Sequence, residues 1–237
     1  MIGLVLSCEH ASWTLPPGVD LGVADDGLRS QASWDPGAYE IGARLGETLG
    51  LPVHTGAFSR MWVDLNRGPE HPDVIPRVSY GASVPGNAEL DAGARERRLA
   101  EYHAPYWSAV RRDVKARLVS VGACLQISSH SFDPSLDPGS RRFDVGVLYD
   151  PAFAFEAELA ERLQFGLRAA GLDVRANQPY RGVGPGITTS LRHELAGQHY
   201  AGIQIETSFA VTHAPGGCAR VADALAPLLE HIRDQSF

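Results

Sequence analysis

The chain opens on IGLVLSC (residues 2–8), a short and almost unbroken apolar run. A run without alternation predicts a strand buried on both faces, the habit of parallel sheets. The pattern returns in ACLQISSH (123–130), FDVGVLYD (143–150) and AGIQIETSF (201–209). LPVHTGAF (51–58) and MWVDL (61–65) read as shorter strands, the second because Met61, Val63 and Leu65 alternate with Trp62 and Asp64. LDVRANQPYRGVGPGITT (172–189) passes from strand into a glycine-rich loop. Between these runs the spacing turns helical. WDPGAYEIGARLGETLG (34–50) sets Ile41, Leu45 and Leu49 on one stripe, with Asp35 near the N-cap, Pro36 in the first turn and Gly50 past the last. Residues 89–122 predict a helix interrupted at Pro105, residues 152–171 an amphipathic helix closed by Gly171, and residues 218–235 a terminal helix. The stretch 69–87 carries four prolines and no period, which predicts a surface loop or lid. Strands and helices alternate with no internal repeat and no low-complexity linker. The expected architecture is therefore a single domain over 1–237, a three-layer αβα sandwich with a mainly parallel or mixed sheet.

In such sheets ligands gather beyond the carboxyl ends of the strands. The polar residues following strand ends are Glu9 and His10, then Asp64, Asn66 and Arg67, then His130 and Ser131, then Asn177 with Arg181, and Glu206. A hydrolytic zinc site uses neutral imidazoles and usually a carboxylate, and leaves one position open for water. His10 and His130 offer the imidazoles, and Glu9 and Asp35 are the candidate carboxylates. Strand capping explains a histidine at a strand end as well, and the spacing matches no compact motif such as HExxH. Glu206, flanked by Ile203 and Ile205, loses hydration in an apolar strand, which raises its pKa towards that of a general base. A structural salt bridge is the other reading. Asn66 and Arg67 offer an amide and a planar fork suited to a carboxylate. Arg60 can face an oxygen that turns negative during attack, with Asp64 holding an arginine or a backbone group. A surface ion pair of little worth is the alternative for this stretch. Glycines beside Arg181 let backbone approach a ligand, though turn formation explains them equally. His103 and Tyr106 are read as packing residues that border the cleft. Cys8 and His10, two apart on a strand, share a face, which opens a cysteine-hydrolase alternative.

Composition narrows the partners. A net charge of -7 argues against nucleic acid and anionic membrane surfaces. It does not argue against a small anionic substrate, because a few arginines in a cleft oppose the global sign. Three cysteines, far apart and without a CxxC pair, indicate neither a disulfide framework nor a thiolate zinc site. The start lacks the basic and apolar regions of a signal peptide, and no window reaches the length of a membrane span. The expectation is a soluble cytoplasmic protein.

Seven motifs, in order along the chain, carry a family resemblance: CEHAS (8–12), WDPGA (34–38), SRMWVDLNR (59–67), SHSF (129–132), DVGVLYD (144–150), NQPYRG (177–182) and IQIE (203–206). Together they resemble the N-formylglutamate amidohydrolase family. The DLNR element is also similar to that of aspartoacylase and succinylglutamate desuccinylase, which share the zinc-carboxypeptidase type of α/β fold. The resemblance implies hydrolysis of an N-acyl amino acid with one zinc ion. It implies His10 and His130 as metal ligands, Glu206 as general base, Arg60 as the carbonyl-polarising arginine, and Asn66 and Arg67, with Arg181, as holders of the substrate carboxylate. Two departures stand out. The residue three after His10 is Trp13, so the HxxE of the carboxypeptidase relatives is missing, and Asp35, or next Glu9, is expected as the third ligand. The PYH element of the family reads Pro105-Tyr106-Trp107 here. A deacylase or peptidase of the same fold acting on a different N-acyl amino acid or a small peptide is the nearest alternative, and a non-catalytic carboxylate-binding module is the alternative of another class.

Overall fold

The computed structural model describes residues 1–137 and 139–235. In chain order its elements are β1 (Gly3–Cys8), α1 (Asp25–Leu28), α2 (Ala38–Leu49), β2 (Val53–Thr55), β3 (Val78–Ser79), β4 (Ala82–Ser83), α3 (Ala92–Arg98), α4 (Ala104–Val121), β5 (Ala123–Phe132), β6 (Val145–Leu148), α5 (Ala154–Ala169), β7 (Val174–Ala176), α6 (Ile187–Glu194), β8 (His199–Ser208), α7 (Phe209–Thr212) and α8 (Gly217–Asp234). Six strands form one sheet in the order β2-β1-β5-β8-β6-β7. The first four run parallel, and β6 with β7 runs the other way, antiparallel to β8. The sheet is thus mixed and mainly parallel, as the apolar runs predict.

Alternate strand residues feed two cores. Leu4, Leu6, Leu125, Ile127, Ile203 and Ile205 pack with Ile41 and Leu45 of α2, Leu163 of α5 and Leu225 of α8 on one face. Val5, Cys124 and Tyr200 meet Trp107 and Val114 of α4 and Leu191 of α6 on the other. Both faces are covered, which is why the central strands begin as apolar runs, with polar residues alternating in only towards their carboxyl ends, as at Gln204 and Glu206. No helix among the described residues is long and apolar enough to cross a membrane.

Four expectations need correction. MWVDL is not a strand but a tight turn: the Ser59 hydroxyl accepts from Met61 N at 3.0 Å and Ser59 O from Trp62 N at 2.9 Å. The alternation is real, but it buries Met61, Val63 and Leu65 in two loop-borne clusters rather than under a sheet. Pro105 does not break the helix. The chain stays helical from α3 into α4, and residues Leu99–His103, just before Pro105, form a π-helical turn, the irregularity that accommodates a ring lacking an N–H. Helix α2 begins at Ala38 with Gly37 as N-cap, which leaves Asp35 in the turn before it. Helix α6, within and beyond the stretch read as glycine-rich loop, was not expected.

Behind the loop that carries Arg181 lies a buried ion pair. Arg192 donates to both Glu156 oxygens, at 2.9 and 2.6 Å, and also to Gly182 O and Gly202 O, with both side chains at most 1% exposed. Removing one partner strands a buried charge. Glu156→Ala is therefore expected to lower unfolding stability by about 3–5 kcal/mol, read from the urea midpoint.

Candidate active site

The register of the sheet builds the floor of the site. His130 on β5 lies opposite Glu206 on β8, and Ser128 opposite Gln204, so all four project to the same side at the strands' carboxyl ends. His10 follows β1 directly, and the 59–67 turn closes over it. The resulting cavity of about 370 Å³ is lined by His10, Asp35, Arg60, Asn66, Arg67, His130, Arg181 and Glu206, together with Tyr80, Tyr180 and Gln204. These first eight are the residues expected from the sequence as ligands, catalytic groups or substrate contacts, whereas Glu9, the second choice of carboxylate ligand, does not line the cavity. A larger groove of about 850 Å³ between α5 and α8 holds none of them.

Both imidazoles are held in the same way. His10 Nδ1 lies 3.3 Å from Asp35 Oδ2 and its Nε2 lies 2.7 Å from Asp64 Oδ1. His130 Nδ1 lies 2.8 Å from the same Asp35 Oδ2, and its Nε2 lies 3.1 Å from Glu9 Oε2 and 2.9 Å from Ser128 Oγ. A histidine that gives its Nε2 proton to a carboxylate keeps the Nδ1 lone pair for a cation. The two Nδ1 atoms and Asp35 Oδ2 are therefore a convergent donor set, with ligand-type atoms of His10, Asp35 and His130 all within 4.8 Å of one another and all three residues buried. Two imidazoles and one carboxylate match the three-ligand sets of hydrolytic zinc sites. Glu9 and Asp64 stand one layer back. Glu9 is held by Ser128 at 2.5 Å and Tyr106 at 2.8 Å. Asp64 holds a backbone group, as expected, its Oδ1 accepting from Asn66 N at 2.9 Å, and the same oxygen serves His10, a role its place in the DLNR motif does not reveal.

The other oxygen of Asp35 takes the Arg60 guanidinium. Burial opposes a charged Asp35, but Arg60 and His10 outweigh it and hold its carboxyl well below the usual range. Burial likewise opposes a charged His130, yet its bonds to Asp35 and Glu9 lift it to about 10. Glu206 differs from its neighbours. Burial pushes its carboxyl up to about 7 against the pull of His130, with the Asp35 charge adding to the rise. Its Oε2 is buried and has no hydrogen-bond partner. A buried, unpaired carboxylate with a pKa near neutrality is what a proton-transfer group requires.

Asn66 and Arg67 form the opposite wall. Asn66 Oδ1 accepts from Ile187 N at 3.2 Å, and its amide reaches Gln204 Oε1 and His130 Nε2, each at 3.4 Å. A β-carbon on Gly186 would sit 2.7 Å from Asn66 Oδ1, so the glycine of this loop permits close approach to a side chain of the cavity. Arg67 donates to Asn66 O and Pro185 O, both at 2.9 Å. Among the described residues neither Arg67 nor Arg181 makes an ion pair, although the Arg67 charge is felt by Asp64, so two cations face the cavity without a direct partner. His103 does not line it. It packs under the 64–67 turn instead and bonds Arg67 O at 2.7 Å, while Trp107 bonds Leu65 O at 2.8 Å. Cys8 is fully buried, burial pushes its thiol far up, and both nitrogens of His10 face aspartates, which leaves the cysteine alternative without an activated nucleophile.

Tyr80, Tyr180 and Gln204 were not singled out from the sequence. Tyr180 lies inside the NQPYRG motif and Gln204 inside IQIE. Tyr80, in the proline-rich stretch, had no signal of its own.

Comparison with known proteins agrees with this architecture. The family described as N-formylglutamate amidohydrolase matches residues 2–211. The gene product Atu2144 from Agrobacterium tumefaciens is 30% identical, with a TM-score of 0.83 over 98% of this chain and 92% of that one. The N-formylglutamate amidohydrolase from Ralstonia eutropha JMP134, at 19% identity, shares the fold, with a TM-score of 0.77 over 98% of this chain and 94% of that one. No curated protein matches the sequence. Family match and 30% relative, each spanning most of the chain, give one result: the chain belongs to the N-formylglutamate amidohydrolase family.

Proposed function

We propose that this protein is a zinc-dependent amidohydrolase that removes the acyl group from a small anionic N-acyl amino acid such as N-formyl-L-glutamate. The observation that carries the reading is the unpaired carboxylate of Glu206 beside the His10–Asp35–His130 donor set, in a cavity that also holds two arginines without an ion-pair partner. His10, Asp35 and His130 would hold the ion. When bound, zinc supplies Lewis acidity, which polarises the acyl carbonyl and lowers the pKa of a water. Glu206 takes a proton from the attacking water and returns it to the leaving amine. Arg60, steadied by Asp35, directs its charge at the oxygen that becomes negative. Asn66, Arg67 and Arg181 anchor the substrate's α-carboxylate, which reconciles an acidic protein with an acidic substrate.

The test is release of free amino acid from N-formyl-, N-acetyl- and N-succinyl-L-glutamate by the zinc-loaded protein. Turnover of at least one is expected. Tight binding of all three with turnover of none would overturn the reading in favour of a binding module. The layer behind the ligands gives a second expectation. Glu9→Gln and Asp64→Asn, which weaken the hold on Nε2 of His130 and His10, should each cost about 10–100-fold in metal affinity, read by competition with a chromophoric chelator.

A further inference from the structure

Two tyrosines that line the cavity, and an arginine behind them, are not used by the proposed reaction. Tyr80 sits at the tip of the β3–β4 hairpin, where Tyr80 and Gly81 form the two-residue turn with φ of 47° and 83°. Such a turn favours Asn-Gly, because left-handed φ crowds the β-carbon of a tyrosine. The costlier residue is present nonetheless. Its ring, 47% exposed, lines the cavity, and the Arg60 guanidinium lies 5.4 Å from the ring centre. Its hydroxyl lies 3.2 Å from that of Tyr180, which lines the same cavity. Behind Tyr180 stands Arg141, which donates to the Tyr180 hydroxyl at 3.3 Å and lies 4.9 Å from its ring.

Counting donors gives the inference. Arg141 has no acceptor atom, so Tyr180 Oη accepts from it. One of the two phenols donates to the other, and the second proton has no protein acceptor within the trio. Burial holds the Tyr180 phenol far above its ordinary value, so it stays a donor at any working pH. A chain of donors that begins at a cation and ends in an unspent O–H on the cavity wall offers a place for a hydrogen-bond acceptor. We propose that Arg141, Tyr180 and Tyr80 form a relay that reads the far end of the substrate's side chain and selects an oxygen acceptor there. Tyr80 and Tyr180 are the specificity-determining contacts, and Arg141 is a positioning residue. This rests on the N-acyl amino acid reading of the site and adds to it which part of the molecule is discriminated.

The experiment is calorimetric binding of N-formyl-L-glutamate, N-formyl-L-glutamine and N-formyl-L-norleucine to the full chain carrying Glu206→Gln, which suppresses turnover. The two acceptor-ended ligands are expected to bind about tenfold or more tighter than the norleucine derivative, the scale of one hydrogen bond to an ionised or strongly polar group. Adding Tyr180→Phe or Tyr80→Asn should shrink that ratio several-fold by weakening the first two ligands, with norleucine affinity unchanged. Tyr80→Asn should also hold or raise the thermal midpoint, because asparagine suits the turn. Equal affinities, no binding of any ligand, or an unchanged ratio in either variant would overturn the proposal. So would a smaller ratio accompanied by a lower midpoint in both variants, since that would make the tyrosines structural. Hydrolysis by the unsubstituted protein is scored separately, so failure of the enzyme reading and failure of the relay are told apart.

Discussion

Replacing Glu206 by glutamine should lower kcat for the acyl amino acid by about a hundred- to ten-thousand-fold, the range that a positioned general base contributes. Glutamine keeps the shape and cannot accept the proton. Because burial holds the carboxyl near 7, kcat/KM of the unsubstituted enzyme is expected to rise with pH up to about 7 and then level, since the base works ionised. The same shift makes a stability statement whose sign is opposite to that of a paired carboxylate. The folded pKa lies above the unfolded one, so between roughly 4.5 and 7 the folded state holds the extra proton and stability falls as pH rises. Above that window the ionised, unpaired group destabilises the fold. Glu206→Gln should therefore be nearly inactive yet, at pH 8 and without metal, more stable by roughly 1–3 kcal/mol. A parent-like rate in this variant would remove the proton-transfer role altogether. A loss of stability would show instead that Glu206 is a structural anchor.

Removing the metal should have an effect at least as large. Chelation is expected to abolish turnover, and added zinc to restore it. The loss should exceed the roughly 10²–10³-fold cost of deleting one oxyanion donor, because water activation is lost in the same event. His130→Ala should lose activity in the same way without rescue by zinc, and the purified variant should carry less than one equivalent of metal. It also leaves Glu9 supported only by Ser128 and Tyr106, so circular dichroism and the thermal midpoint must be read alongside. Full activity in the presence of chelator would refute the metal reading.

Much of this arrangement was visible in the amino-acid order, for a physical reason. Strands buried on both faces appear as apolar runs, and parallel sheets place their ligands at the ends of those runs, so polar residues near each end are already candidates. His10 and His130 are found that way, and Glu206 by its place inside an apolar strand. Asp35 was reached through helix-start reasoning that misplaced the cap, although its side chain reaches the imidazoles from the turn before α2. The 61–65 segment shows the limit of periodicity: Met61, Val63 and Leu65 alternate because a turn tucks them into loop-borne clusters, and its main chain bonds to scattered partners such as Asn87 and Val74. Neither that turn nor the pairing of Asp64 with His10 is a local property, so no window of residues could contain it. Tyr80 escaped for the opposite reason, since it occupies a position where turn chemistry alone would have chosen a different residue.

Strands β1 and β5, and again β5 and β8, pair in parallel although long stretches of chain separate them. Contacts between segments so distant along the chain form only after the entropy of closing large loops has been overcome, so folding is expected to be slow for a protein of this size. The donor atoms of His10 and His130 sit on the ends of the first pair, so the set converges only once β1 and β5 have paired. On the proposed metal reading, an ion bound there is expected to slow unfolding rather than to speed folding.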